Sequence, residues 1–191
     1  MKLNQKGFTL IELMATILII AVVMAITIPN VTGIFNQGKL TTYGEDAKKL
    51  RNTAEYLYRG DSSIDRLVDN GDCIVFSFKY LDNDEFKPPY GGYYLETKSF
   101  VVVKKENKRL RYFVQLLEFL PEGGVRGYKL TDVLNLDGSG YMDKIGEFND
   151  ANSFVDVDLY KDAANRNNLK SSSNFTSVGI GCSNINRVYT P

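Results

Sequence analysis

The chain has no histidine in its 191 residues. That removes the commonest general base and the commonest metal ligand at neutral pH. A Ser-His-Asp or Cys-His nucleophile cannot be built within it. Net charge is also absent, since 23 Lys and Arg balance 23 Asp and Glu. A general electrostatic grip on nucleic acid needs a clustered basic surface and is not indicated. Cysteine is scarce: Cys73 and Cys182 stand alone. If both lie outside the cytoplasm, a disulfide closing roughly a hundred residues is one reading, worth about 4–5 kcal/mol in the chain-entropy model. Two separate buried thiols is the other. No Gly-Lys-Ser/Thr signature follows a strand, so the Gly-rich stretches do not match a phosphate-binding loop. No cofactor, no metal and no catalytic set is indicated.

What the chain does have is a long apolar run near its start. Phe8 to Ile28 carries one charge, Glu12. As a helix it is roughly 30 Å long, enough to cross a hydrocarbon core. A carboxylate near the bilayer centre costs roughly 2.5–3.5 kcal/mol on insertion scales, and less near one end. Glu12 sits one turn in from Phe8, and the most economical partner is a positive group at the depth of Phe8. Met1 to Gly7 holds Lys2 and Lys6 and no acid, so the positive-inside rule keeps it cytoplasmic and exports the rest. An ordinary secretory signal has a shorter apolar core ending at a small-x-small cleavage site. A plain single-span anchor explains the length, but neither Gly7-Phe8 nor Glu12.

The stretch Lys6-Gly7-Phe8-Thr9-Leu10-Ile11-Glu12-Leu13 behind a short basic leader resembles the amino terminus of type IV pilins and of the pseudopilins of type II secretion and DNA-uptake machines. Pro29, where that family often has a proline, adds to the likeness. The resemblance covers about the first fifth of the chain. It implies cleavage between Gly7 and Phe8 by a membrane-embedded prepilin peptidase, with methylation of the new Phe8 amine. It implies that Glu12 of an incoming subunit neutralises the Phe8 amine of a neighbour, and that Phe8, Glu12 and Pro29 serve assembly. The implied partners are further copies or other pilins, the peptidase, an assembly platform with its ATPase, and the cytoplasmic membrane. The implied location is a single-pass prepilin with an exported head, then a surface pilus or pseudopilus. Such fibres serve adhesion, twitching movement, DNA uptake and secretion, and this sequence does not select among them. The rival reading is a membrane-anchored extracellular binding domain that forms no fibre.

Beyond the anchor, Pro29 and Gly33 predict a kink or local melting. Tyr43, Ala47, Leu50, Ala54 and Leu57 then recur at spacings of four and three, an apolar helical stripe for packing on a sheet. Arg59-Gly60 reads as its stop. Ser62 to Asn70 reads as a short helix with a Ser cap. From Cys73 the texture is β: Cys73–Tyr80, then Tyr93–Lys104 and Arg109–Leu120 as a hairpin around a charged turn. Val125–Leu130, Ser153–Tyr160, Phe175–Cys182 and Val188-Tyr189 are further expected strands, and Lys161–Asn174 a surface loop. The fold class expected is therefore α+β: a long amino-terminal helix, its first half transmembrane or fibre core, packed on an antiparallel sheet. The division expected is a leader at 1–7, a helix at 8–58 (transmembrane over 8–28, amphipathic over 29–58) and a β-rich head at 59–191.

Three further features have weaker claims. Asn135 to Asp143 alternates oxygen side chains like the first half of a calcium loop, but its twelfth position is Gly146 rather than a carboxylate. Arg109 and Arg111 with Tyr112 and Phe113 suit the wet and dry faces of a strand better than a nucleic-acid platform. Asp156 and Asp158 are expected on one solvated face of a strand.

Overall fold

The structure, a computed structural model, describes residues 9–82, 86–132 and 145–191. The chain divides into two compact units, Met1–Lys39 and Leu40–Pro191. Helix α1 (Leu10–Gly60) contributes to both. Its helical run passes through Pro29 and Gly33 without interruption, so the local melting expected there does not occur. Proline removes one N–H and with it one backbone bond. The bonds of the neighbouring turns are enough to carry the helix past that loss.

The second unit is built on a seven-stranded sheet of β1 (Cys73–Ser77), β2 (Tyr93–Tyr94), β3 (Phe100–Glu106), β4 (Arg109–Phe119), β5 (Val125–Asp132), β6 (Ile145–Phe148) and β7 (Ile185–Tyr189). The order is β6-β5-β4-β3-β1-β7, with β2 pairing β4 off this path. Every pairing is antiparallel except β1 with β7. The α+β class read from the sequence is the one observed: a long amino-terminal helix followed by a mostly antiparallel sheet.

Alternation along β1, β3 and β4 sends successive side chains to opposite faces. One face carries Ile74, Phe76, Val101, Val103, Tyr112 and Val114, and Tyr43, Ala47, Leu50 and Ala54 of α1 pack on it. The opposite face carries Val75, Phe100, Val102 and Phe113 against Val157, Leu169, Phe175 and Ile180. Covering on both faces explains why β1 and β3 read as unbroken apolar runs rather than alternating ones. Tyr43 pins α1 to the sheet. Its hydroxyl donates to the Leu116 carbonyl at 2.8 Å and also lies 3.1 Å from the Arg126 carbonyl. Gly127 makes that approach possible, because a Cβ there would lie 2.0 Å from the Leu116 oxygen and 2.5 Å from the Tyr43 hydroxyl.

The carboxyl-terminal layer departs from the sequence expectation. Ser153–Tyr160 is not a strand: Ala151–Ser153 and Val157–Tyr160 are 3-10 turns capped by the Asp150 and Asp156 side chains. Phe175–Cys182 is not a strand either, because Ser173–Val178 forms helix α4, closed by Gly179 in the left-handed conformation. The expected surface loop contains a 3-10 turn, Arg166–Ser171, that buries Leu169. Cys73–Tyr80 stops as a strand at Ser77, whose hydroxyl caps the short helix α3 (Phe78–Leu81). Helix α2 is Ser62–Leu67, and its cap is Asp61 rather than a serine. A buried amide pair ties this layer to the sheet. Gln115, at the β4–β5 register shift, accepts from Asn174 Nδ2 at 3.1 Å and donates to the Lys98 carbonyl at 2.8 Å.

Candidate functional site

Among the described residues, the amino-terminal unit consists of the first turns of α1 and the apolar stretch that follows. The helix opens on a reciprocal cap. The Thr9 backbone N–H donates to Glu12 Oε2 at 2.9 Å, and the Thr9 hydroxyl donates to the same oxygen at 2.9 Å. The Glu12 N–H returns a bond to Thr9 Oγ1 at 3.3 Å. This is the capping box of a Thr at the cap and a Glu three residues on. It satisfies donors that a helix start otherwise leaves open, and it holds an acid where the helix dipole favours one. Both donors from Thr9 land on Oε2; among the described residues Oε1 has none. Thr9-x-x-Glu12 was legible as a cap signature. Read for its charge alone, Glu12 conceals it.

From Leu13 through Gly38 no residue carries a charge. The large apolar side chains of this stretch are open, from Val31 at 44% to Ile34 at 69%. Its hydroxyls do not break the apolar character. Thr16 donates to the Leu13 carbonyl at 2.8 Å and Thr27 to the Val23 carbonyl at 2.6 Å, so these two hydroxyls are satisfied within their own helix. The helix is long and apolar enough to cross a membrane. Satisfaction of every polar group inside the segment is the condition for lying in lipid.

Gly7 and Phe8 lie outside the described residues, and so does 135–143, where the calcium-like spacing falls. Pro29 lies in the helical run. Cys73 and Cys182 are joined by a disulfide with their Cα atoms 5.6 Å apart. The bond ties β1 to the segment that leads into β7. Arg109 is exposed, whereas Tyr112 and Phe113 are buried on opposite faces of β4, so no basic-aromatic platform forms there. Asp156 does not share a strand face with Asp158. It accepts from the Asp158 N–H at 3.1 Å and from the Thr97 hydroxyl at 3.0 Å.

Residues 2–28 match the family model described as the prokaryotic N-terminal methylation motif. The ComG operon protein 3 homolog of Bacillus licheniformis is 36% identical over 90 residues, which cover 93% of that protein and 39% of this chain. No solved structure matches the chain. The chain belongs to the type IV pilin-like family, a structural class of subunits with a methylation-type amino terminus and an apolar membrane-competent helix.

Proposed function

We propose that the chain is made as a prepilin, cut by a prepilin peptidase between Gly7 and Phe8, methylated at Phe8 and polymerised through its apolar helix. On this reading 1–7 is the leader, 8–28 the transmembrane and assembly segment, 29–58 the amphipathic continuation and 59–191 the exported head. The product is a pilus or pseudopilus at the cell surface, built of copies of this chain or of this chain with other pilins. An assembly platform and ATPase in the cytoplasmic membrane drive the process. The chain acts as a structural subunit rather than as an enzyme.

The observation that carries this reading is the open apolar run with one acid at its head. Each exposed Å² of apolar surface costs about 25 cal/mol in water, so the run requires lipid or other apolar helices around it. Glu12 is tolerable near the lipid boundary, where the Thr9 cap engages one oxygen. Inside a fibre core it needs a cation, and the methylated Phe8 amine of a neighbouring copy supplies one. Two such charges attract strongly in an apolar medium, although removing both from water offsets most of the gain. The pair therefore sets register, and helix packing holds the fibre.

The test is processing and assembly in the host. Mass spectrometry of the natural protein is expected to find a chain starting at Phe8 and heavier by one methyl group. Gly7→Ala is expected to slow cutting, and Glu12→Leu to be cut yet assemble poorly. Normal fibres from both variants would return the chain to the rival reading, a single-span anchored binding domain.

A further inference from the structure

The longest strand of the head ends in opposite charges. β4 has 11 residues, so it extends about 33 Å. At its start, the segment from Lys105 to Arg111 holds the cations Lys105, Lys108, Arg109 and Arg111 and one anion, Glu106. Lys105 is bound to Asp65 at 2.9 Å and Arg111 to Glu106 at 3.2 Å. Lys108 and Arg109 are exposed, and among the described residues neither forms an ion pair, since Glu106, which sits opposite Arg109 in the ladder, bonds Lys104 and Arg111 instead. The turn that presents them is held in place. Asn107 and Lys108 take φ of 50° and 63°, the left-handed pair of a two-residue hairpin turn that glycine usually fills. The Asn107 N–H donates to Asn70 Oδ1 at 2.6 Å.

At the far end of β4 the sign reverses. Phe119 pairs with Val125 and Val125 with Phe148. The β4–β5 turn and the end of β6 therefore lie side by side, and bring together Glu122, Glu147 and Asp150. No cation stands in 120–124 or 147–150. Glu147 pairs with Arg126. Asp150 is exposed and accepts the Asn152 N–H at 2.8 Å. Glu122 is exposed at the turn.

We infer that the heads of successive copies dock end to end, the Lys108–Arg109 tip of one against Glu122 and Asp150 of the next. The inference rests on the polymer reading and names the head contact within it. A contact between two different patches of the same chain is heterologous, and where it does not close a ring it propagates as an open helical filament. The alternative occupant of the tip, a polyanion, fits less well. Two unengaged cations give a salt slope of only about −1.8 on duplex DNA, far from that of a dedicated binder. Rim charges of this kind steer encounter and set register more than they add affinity.

The test uses full-length chains in the host, with sheared fibre yield as the readout. Lys108→Glu with Arg109→Glu makes both ends acidic. Glu122→Lys with Asp150→Asn makes the far end basic and keeps an acceptor for the Asn152 N–H. Each variant alone is expected to lose about ten-fold in fibre yield. Co-expressed, the two are expected to return to within about two-fold of the natural chain, since each now offers the end the other lacks. An intact disulfide and normal membrane levels check that each head has folded. Unchanged yield from either variant, or no recovery on mixing folded chains, overturns the inference. So does a tip variant that keeps its fibres but loses retention on immobilised duplex DNA. If the natural chain itself forms no fibres, the polymer reading falls first and this contact falls with it.

Discussion

Removing the cross-link between Cys73 and Cys182 is expected to cost the head a large part of its stability. The two residues are 109 apart in sequence. Loop-closure entropy for a ring of that size is about 16 cal/mol/K, or about 4.8 kcal/mol at 25 °C. Cys73 is fully buried, so Cys73→Ala with Cys182→Ala avoids placing a hydroxyl in the core. The fold should survive the change, because β7 has other ties. Asp72 accepts from the Asn184 N–H and side chain at 3.1 Å and from Asn186 Nδ2 at 2.9 Å, and the Ile185 N–H donates to Asn167 at 2.8 Å. A domain of this size loses about 2–4 °C of Tm per kcal/mol, which places the fall at about 10–20 °C. The assay is thermal unfolding by near-ultraviolet circular dichroism on the detergent-solubilised full chain, oxidised, reduced and doubly substituted. Reduced and substituted proteins should agree with each other and melt well below the oxidised one. A double variant melting within about 3 °C of the oxidised chain would refute the loop-closure argument.

Two further outcomes follow from the packing of α1. Tyr43→Phe removes the donor to the buried Leu116 carbonyl and is expected to cost about 1–3 kcal/mol, measured as a shift in the denaturant midpoint without a change in slope. Asp46 lies beside Tyr94, whose hydroxyl donates to its Oδ2 at 2.6 Å. Burial raises this carboxyl above the ordinary range, against the downward pull of the Tyr94 bond and of Lys49. A value higher in the folded than in the unfolded chain means that folding favours the protonated form. The penalty is then complete above the folded value and vanishes as the pH falls below the unfolded one. Asp46→Asn should therefore raise Tm at pH 7, and the gain should shrink to nothing through the acidic carboxyl range. A gain that grows on acidification would contradict this.

The parts of the fold that announced themselves were those with a clean period. Tyr43, Ala47, Leu50 and Ala54 recur at helical spacing and do bury one face of α1. The expected Tyr93–Lys104 arm divides into Tyr93–Tyr94, a turn and Phe100–Glu106, and Phe100–Glu106 pairs with Arg109–Phe119 around a two-residue turn as the hairpin reading required. The carboxyl-terminal layer misled because its alternation is an accident of capping. Phe154 and Val157 are three apart and both buried, with Asp156 between them folded back on the Asp158 N–H. A period of three with a side-chain cap imitates a period of two over so short a stretch. At the amino terminus Glu12 was conspicuous through its charge, while Thr9 was not. A threonine beside an apolar run draws notice only when its three-residue spacing to Glu12 is read as a cap.

The cap also gives the sharpest test of the assembly account, because it separates the two things Glu12 does. Glutamine preserves a capping box but carries no charge, whereas leucine removes both. If the carboxylate acts by meeting the Phe8 amine of a neighbour, Glu12→Gln should be cut normally at Gly7 and yield as little sheared fibre as Glu12→Leu, at least about ten-fold below the natural chain. Fibre yield from Glu12→Gln equal to that of the natural chain, with Glu12→Leu still defective, would contradict the account and leave Glu12 as the cap of its own helix.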